Sequence, residues 1–376
     1  MNSSQPIPEL TPVAAPIRIG LVGVGRAGWG MHIPETGVRA ERFTIVAAHD
    51  ADLSRAEAVR RRLGSRVHAD FNDLLSDSQV ELVDIASTSP VHTMQTLRAL
   101  EVGKLVFLEK PIALTYADAL RLKAAADAHP GRLFFRHNRR FETAFVRIRQ
   151  ILATGTLGDI HSIKLRRQGF SRRDDWQTLI DCGGGQLNNW GPHLIDHALR
   201  LLESPVIDIW GDLKRIAAVG DAEDHFKIVL RGANGRVADI EVSGGTALSE
   251  PEYLINGNRG SLTCTGDTIV MKYLDPQIML SKRKPIRESP PFAGDFGSPD
   301  PLPWISETIA ASHTVSLDTT SIWDFLFEAV RHGTTFPITT DEAVEVVRIS
   351  DYVKQNSIFA PPPAQSKNQP RASTAH

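Results

Sequence analysis

Cysteine is scarce in this chain of 376 residues, which contains only Cys182 and Cys264. Two cysteines cannot build a disulfide framework, and neither belongs to a Cys-x-x-Cys pair or to another cluster with metal-ligand spacing. We therefore expect buried or idle thiols and no metal site.

Long apolar runs and a surplus of one charge are also absent. No stretch of 18 apolar residues occurs, and the residues before Ile17 lack the basic start and apolar core of a secretory signal. The 42 Lys and Arg residues nearly balance 44 Asp and Glu residues, which gives a formal net charge of −2. A net charge this close to zero excludes broad attraction to nucleic acid or anionic membranes. We expect a cytoplasmic protein without nucleic-acid or membrane partners.

The length predicts more than one domain. From Ile17, strand-like runs alternate with helical stretches, which predicts an α/β domain with a doubly wound parallel sheet. From about Ile160, short strand-like runs and the hairpin signal Asn234-Gly235 predict an α+β domain with a mostly antiparallel sheet. The predicted bounds are a disordered tail at 1–16, the first domain at 17–135, the second at 136–358 and a second disordered tail at 359–376. A proline-rich loop, 275–303, is long enough to predict a functional or interfacial role.

A glycine pattern follows the first strand-like run, 17–22, and precedes a segment able to form a helix. In a dinucleotide-binding turn, the first glycine permits a tight turn, the second lets the backbone approach a pyrophosphate, and the third allows close packing of helix on strand. The sequence therefore predicts a dinucleotide site at Gly23, Gly25, Arg26, Ala27 and Gly28.

Asp50 ends the second strand-like run, about 20 residues beyond the last glycine, where such folds place the acid that binds ribose. A carboxylate accepts hydrogen bonds from the ribose hydroxyls and would repel a 2′-phosphate, so the sequence favours NAD over NADP. Arg55 favours NADP instead, because its side chain could bind the 2′-phosphate. It equally suits the solvated face of a helix.

Lys110 follows the apolar run 105–108 within Glu109-Lys110-Pro111. It therefore lies at the carboxyl end of a predicted parallel strand, the edge at which ligands collect in open α/β sheets. An amine there can hold a substrate hydroxyl and tune its proton. The alternative is a lysine that only extends from the strand end to solvent.

His193 is the second candidate for proton transfer, because histidine is suited to removing a proton near neutral pH. Asn189 lies four residues earlier and would share a helix face with it. Pro192 is tolerated only in a first turn, so the helix should begin around 188–191 with its positive end near the site. The alternative is a structural histidine whose hydrogen bonds are satisfied.

The charged loop 171–176 ends in Asp175 and Trp176. Trp176 could stack against a sugar ring while Asp175 accepts hydroxyl hydrogens. The alternative is a solvated loop whose tryptophan is a packing anchor.

From Ile17 to about Gln355 the chain resembles the Gfo/Idh/MocA oxidoreductases. The motifs that carry the resemblance are 23–28, 86–92, 103–111, 138–141 and 183–196. It implies an N-terminal Rossmann domain and a C-terminal domain whose open sheet makes a homo-oligomer, a dimer or tetramer. Substrate and nicotinamide would meet between the domains. Segments 138–141 and 191–196 look most like the inositol- and sugar-dehydrogenase members.

The resemblance also implies individual roles. Cofactor contacts are expected from Thr88, Ser89, His92, Glu109 and Lys110, and a cis bond is expected before Pro111. Substrate contacts are expected from Asn138, Arg139, Asp175, Trp176, Asn189 and His193. For Arg139 and its neighbour Arg140, interdomain ion pairs are the alternative.

Asn189 departs from the family pattern, which usually has aspartate at this position. Its amide can orient a hydroxyl but cannot act as a base, so acid–base work would fall to Lys110 and His193. The sequence thus predicts an NAD(P)-dependent oxidoreductase acting on a secondary alcohol, or the matching ketone, of a sugar, glycoside or cyclitol. The alternative is a nucleotide-binding regulatory or partner subunit that keeps the fold but has little turnover.

Overall fold

The computed structural model describes residues 14–285, 287 and 301–360. The predicted tails 1–16 and 359–376 lie almost entirely outside the described residues, and so does much of the loop 275–303.

The first sheet is parallel, with its six strands in the order β3-β2-β1-β4-β5-β6. This is the doubly wound arrangement predicted from the alternating strands and helices. The strands are β1 (Ile17–Val22), β2 (Phe43–His49), β3 (Arg66–Val67), β4 (Leu82–Ile85), β5 (Leu105–Glu109) and β6 (Leu133–Arg136). The helices between them are α1 (Ile33–Gly37), α2 (Leu53–Leu63), α3 (Phe71–Ser76), α4 (His92–Glu101) and α5 (Tyr116–Ala128). Every residue of β4 is buried, as expected of a central strand covered on both faces.

The second sheet has eight strands in the order β14-β13-β12-β11-β7-β10-β9-β8, and β7 with β10 is its one parallel pair. Its strands are β7 (Ile160–Gln168), β8 (Val206–Lys214), β9 (His225–Gly232), β10 (Val237–Ser243), β11 (Tyr253–Gly257), β12 (Gly260–Thr265), β13 (Thr268–Leu274) and β14 (Trp304–Ala310). The predicted hairpin at Asn234-Gly235 is confirmed, because it joins the antiparallel pair β9 and β10 and Gly235 has a φ of 83°. The predicted fold class is therefore confirmed in both sheets.

The described chain has five further α-helices: α6 (Thr143–Ala153), α7 (Gln186–Asn189), α8 (Gly191–Leu202), α9 (Ile322–His332) and α10 (Thr340–Gln355). Helix α9 packs on the first sheet, where Trp323 is fully buried against Phe43 and Phe107. Helix α10 contributes Val344 to this first core and Val353 to the core of the second sheet. The chain thus returns to the first domain after completing the second sheet. None of the described helices is long and apolar enough to cross a membrane.

The sequence patterns missed β8 and β14, the two strands at the edges of the second sheet. Most of their residues are at least partly exposed. Edge strands with little burial lack the apolar alternation that identifies a strand.

Candidate functional site

The glycine turn between β1 and α1 contains three glycines with different surroundings. Gly23 has a φ of 91°, and a Cβ atom there would lie 2.4 Å from the backbone of Ser87. A Cβ at Gly28 would lie 2.1 Å from the carbonyl oxygen of Gly23. At Gly25, a Cβ would meet no described atom within 4 Å. Gly23 and Gly28 are therefore required by the fold, whereas Gly25 leaves open the surface that a pyrophosphate would approach.

This difference predicts separate outcomes for two substitutions. Gly25→Ala should weaken NAD binding at least tenfold and leave the free energy of unfolding within about 0.5 kcal/mol of the wild-type value. Gly23→Ala should destabilise the protein by about 1–3 kcal/mol or more, because alanine is strained at this φ and its Cβ would collide with the backbone of Ser87. Titration calorimetry and urea unfolding of both variants check this. Unchanged NAD affinity in Gly25→Ala would remove the pyrophosphate from this turn.

Asp50 lies beside the glycine turn at the end of β2. Its Oδ2 accepts a hydrogen bond from the Val24 amide at 2.6 Å, and its Oδ1 accepts one from the Asp52 amide at 2.8 Å. The carboxylate is thus fixed against the turn with lone pairs left for further donors. Arg55 lies close by, on α2, but its side chain is 3.5 Å from the Asp52 carboxylate in an exposed pair.

Lys110 follows β5, and the predicted cis bond between Lys110 and Pro111 is confirmed. Its Nζ donates to the backbone oxygen of Asn189 at 3.0 Å and to Asn189 Oδ1 at 3.3 Å. The lysine of the first domain therefore contacts the asparagine of the second. Burial is the main cause that lowers the pKa of Lys110, to about 8. The cationic side chains of Arg26, Arg136 and Arg139 also lower this pKa, whereas the Glu109 carboxylate raises it.

A buried charge network lies behind Lys110. Glu109 Oε2 accepts the Lys110 amide at 2.8 Å, while Glu109 Oε1 accepts from Arg136 at 2.5 Å and from His32 Nε2 at 3.2 Å. His32 Nδ1 also donates to Asp84 at 2.7 Å. Burial lowers the pKa of His32, but the carboxylates of Asp84 and Glu109 together outweigh it and raise this pKa to about 9. Glu109 is thus engaged by protein groups and supports the lysine loop. The sequence patterns did not single out His32 or Arg136, because their partners are distant in the chain.

His193 lies in the first turn of α8, where Pro192 is tolerated as predicted. It is buried, its ring lies edge-on to Trp190 at 5.9 Å, and its Nδ1 has no hydrogen-bond partner among the described residues. Burial and the nearby Lys110 and Arg139 side chains hold the pKa of His193 well below its usual value. The imidazole of His193 is therefore neutral near pH 7, and a neutral imidazole has one nitrogen that can accept a hydrogen bond.

Asn189 and His193 do not lie on one continuous helix, which the expectation of a shared helix face had assumed. Asn189 is the last residue of α7, and α8 starts anew at Gly191 after Trp190. The asparagine reaches the site through its contact with Lys110, not through helical spacing.

Helix α7 depends on a residue that the sequence patterns missed. The carboxylate of Glu223, which is buried, accepts the Leu187 amide at 3.0 Å. A Cβ at Gly185 would lie 2.1 Å from this carboxylate, and Gly185 has a φ of 104°. Gly185 thus makes room for Glu223 at the start of the helix that presents Asn189.

The two arginines after β6 have different surroundings. Arg140 is buried, and its Nε donates to Asp196 at 3.0 Å while its Nη1 donates to Glu342 at 2.6 Å. Arg140 is therefore engaged in ion pairs with acids of α8 and α10, both within the predicted second domain. Arg139 lies with its guanidinium carbon 4.4 Å from the centre of the Trp190 ring, and 31% of its side chain is exposed. Asn138 beside it is buried.

Asp175 and Trp176 lie at the start of a short 3-10 helix, Trp176–Thr178. Arg173 donates to both carboxylate oxygens of Asp175, the nearer at 2.7 Å, so Asp175 is already paired. Trp176 is 41% exposed and is not a buried anchor.

Three predicted cofactor residues follow β4. Thr88 is exposed at the start of the turn that holds Ser89, which is buried. The ring nitrogens of His92 face the carbonyl oxygens of Pro111 at 2.8 Å and Ser87 at 3.0 Å. His92 is thus engaged in holding the lysine loop to the neighbouring turn.

Comparison with known proteins identifies both parts of the chain. Residues 17–137 match the model of an oxidoreductase family with an NAD-binding Rossmann fold, and residues 145–263 match the GFO/IDH/MocA C-terminal domain. An inositol 2-dehydrogenase of Acidothermus cellulolyticus is 39% identical over 232 residues, which are 60% of this chain and 66% of that protein.

Two other proteins match almost end to end. The scyllo-inositol 2-dehydrogenase (NADP(+)) IolW of Bacillus subtilis is 26% identical over 91% of this chain and 94% of its own. The structure of GenD2 from gentamicin A biosynthesis, in complex with NAD, matches with a TM-score of 0.69 at 20% identity, over 93% of this chain and 97% of that one. Fold, glycine turn and family models agree, and the chain belongs to the Gfo/Idh/MocA family of NAD(P)-dependent oxidoreductases.

Proposed function

We propose that the protein transfers a hydride between a nicotinamide cofactor, NAD, and a secondary alcohol, or the matching ketone, of a sugar, glycoside or cyclitol. The observation that carries the proposal is the contact of Lys110 Nζ with Asn189 in a cluster that also holds a neutral, buried His193. The glycine turn of the same domain has the open approach at Gly25 that a dinucleotide requires. The two relatives named as inositol dehydrogenases support an alcohol as the reacting group and a cyclic polyol as the class of substrate.

The residues present fit a dinucleotide. Gly25 and the amide groups at the start of the following helix would lie against the pyrophosphate, and Asp50 would accept hydrogen bonds from the ribose. When bound, the nicotinamide supplies the redox chemistry, and the protein supplies orientation and proton transfer.

Lys110 and His193 would share the proton of the substrate hydroxyl. With a pKa of about 8, the Lys110 amine changes protonation near physiological pH, which suits it to both giving and taking a proton. Neutral His193 accepts a hydrogen bond or a proton. Asn189 holds the Lys110 amine at 3.0 Å and orients the hydroxyl, but it takes no proton itself.

Asp50 should set the choice of cofactor. The wild-type protein should bind NAD more tightly than NADP, because the carboxylate repels a 2′-phosphate. Asp50→Ala should reduce the preference for NAD, the ratio of the Kd for NADP to the Kd for NAD, by about tenfold or more, since the repulsion and the ribose hydrogen bonds are both lost. Calorimetric Kd values for both dinucleotides, with Asp73→Ala as a surface control, measure the ratio. Tighter binding of NADP by the wild type would show that Asp50 does not select the cofactor.

The second sheet also supports self-association. Trp210 on edge strand β8 is 55% exposed and Trp304 on edge strand β14 is 45% exposed. Large exposed apolar side chains on a sheet are typical of protein interfaces. We therefore propose a homo-oligomer that forms through this sheet, which sedimentation velocity would detect.

A substrate panel tests the proposed function. Purified protein with NAD is mixed with cyclitols, neutral sugars, glycosides and sugar acids, and the absorbance of reduced nicotinamide is followed. We expect at least one member of the panel to reduce NAD. Tight NAD binding without any reduction across the panel would instead support the nucleotide-binding regulator.

A further inference from the structure

The charged side chains that act on the pKa of Lys110 are those of Glu109, Arg26, Arg136 and Arg139. Lys110 Nζ is held by the neutral groups of Asn189, while the Glu109 carboxylate accepts the backbone amide of Lys110 rather than its ammonium group. Among the described ion pairs, none joins Lys110 Nζ to an acid within 4.0 Å. Arg26 and Arg139 are both close enough to lower the pKa of Lys110.

Arg139 is the cation best placed to meet a substrate. Trp190 links it to the catalytic cluster, because the indole lies 4.4 Å from the Arg139 guanidinium carbon and 5.9 Å from the His193 ring. Trp190 also directly follows Asn189, which binds Lys110.

The carboxylate that partners Arg139 is shared. Arg139 Nη1 donates to Glu142 Oε1 at 3.0 Å, and Arg167 donates to the same oxygen at 3.0 Å. Arg167 has a second acid, Glu252, at 2.5 Å, whereas no second acid pairs with Arg139 among the described residues. Burial lowers the pKa of Arg139, and Glu142 opposes this only in part. Arg139 thus shares its one described carboxylate partner with Arg167.

The geometry of Arg139 also suits an anion. A guanidinium stacked on an indole keeps its plane fixed, and its edge can then donate two parallel hydrogen bonds to a carboxylate or phosphate. One nitrogen is used by Glu142 and part of the side chain is exposed.

We propose that the substrate carries an anionic substituent, a carboxylate or a phosphate, which Arg139 binds while Lys110 and His193 meet the reacting carbinol. This inference rests on the proposed function and names the class of its substrate. It predicts that neutral sugars and cyclitols are poor substrates compared with sugar acids or sugar phosphates of the same ring.

Equilibrium binding tests this without any need for turnover. Protein saturated with NAD is titrated with glucuronate, glucose 6-phosphate and glucose at one fixed ionic strength. We expect one or both anions to bind at least tenfold more tightly than glucose, and the two anionic arms tell a carboxylate site from a phosphate site. A charge-assisted hydrogen bond predicts that Arg139→Gln loses about 10–100-fold in affinity for the preferred anion and little for glucose.

Three comparisons separate the proposal from general electrostatics. Arg139→Lys should recover only part of the affinity, because an ammonium group cannot make the paired contact. Asn189→Asp should weaken binding of the anion, because it places a second carboxylate beside Lys110. Arg172→Gln, on the exposed loop before Asp175, should leave the preference unchanged.

Equal binding of glucose and both anions, or a preference that survives in Arg139→Gln, would overturn the proposal. Failure to reduce NAD in the turnover panel is a separate result that counts against the proposed function alone.

Discussion

Replacing Lys110 or His193 by alanine should lower kcat by about 10²–10⁴-fold, the range that general acid–base catalysis contributes. Both side chains belong to the cluster around Asn189, and neither lies in the glycine turn. NAD affinity should therefore stay within about threefold of the wild-type value, and most of the loss should appear in kcat rather than KM. Steady-state kinetics with the best substrate of the panel, together with calorimetric NAD binding, measure both quantities.

The pH dependence distinguishes the role of Lys110 from a structural one. With a pKa of about 8, its neutral form grows as the pH rises. Alcohol oxidation, which requires a group that takes the proton, should rise through about pH 8. Ketone reduction, which requires the ammonium form, should fall through the same range. Lys110→Ala should lose this inflection in both directions. Undiminished turnover in both alanine variants would place the chemistry elsewhere in the cleft.

Replacing Arg136 by methionine should cost about 3–5 kcal/mol of unfolding free energy, because removal of one partner leaves buried carboxylates without their counter-charge. Arg136 is 1% exposed and donates to Glu109 and Glu35, each at 2.5 Å. Glu35 also accepts from the indole of Trp323 at 2.6 Å, so the network ties α1, β6 and α9 together. Urea unfolding measures the change.

The control for this effect is an arginine in an exposed pair. Arg98 lies 2.6 Å from Glu101 on α4, with side chains 49% and 67% exposed. Exposed pairs contribute about 0–1 kcal/mol, so Arg98→Met should change little. Equal effects of the two substitutions would show that the buried network is not a major source of stability.

The sequence predicted those features of the site that depend on neighbouring residues. The glycine turn is one continuous segment, and the end of β5 places Lys110 at the carboxyl edge of the sheet whatever the rest of the chain does. Pro192 likewise restricts where α8 can begin.

Contacts between distant segments were not predictable in the same way. Glu109 meets His32 and Arg136 only after three elements of the first domain have assembled. Glu223 lies 36 positions from its partner Leu187, and no local pattern links the two. The break between Asn189 and His193 was missed because spacing of four residues assumes one continuous helix. Pro192 cannot donate the amide hydrogen bond that a continuous helix needs, and α8 therefore begins anew at Gly191.

Direct hydride transfer to the nicotinamide is the central claim, and isotopic labelling tests it most closely. The best substrate of the panel is prepared with deuterium at the reacting carbinol carbon and incubated with the protein and NAD. The nicotinamide product is then weighed by mass spectrometry. The proposed reaction predicts one deuterium in each reduced nicotinamide that the wild-type protein forms. The Lys110→Ala, His193→Ala double variant should form only traces of reduced nicotinamide. Reduced nicotinamide without the label, or nicotinamide that stays oxidised while NAD remains bound, would contradict it.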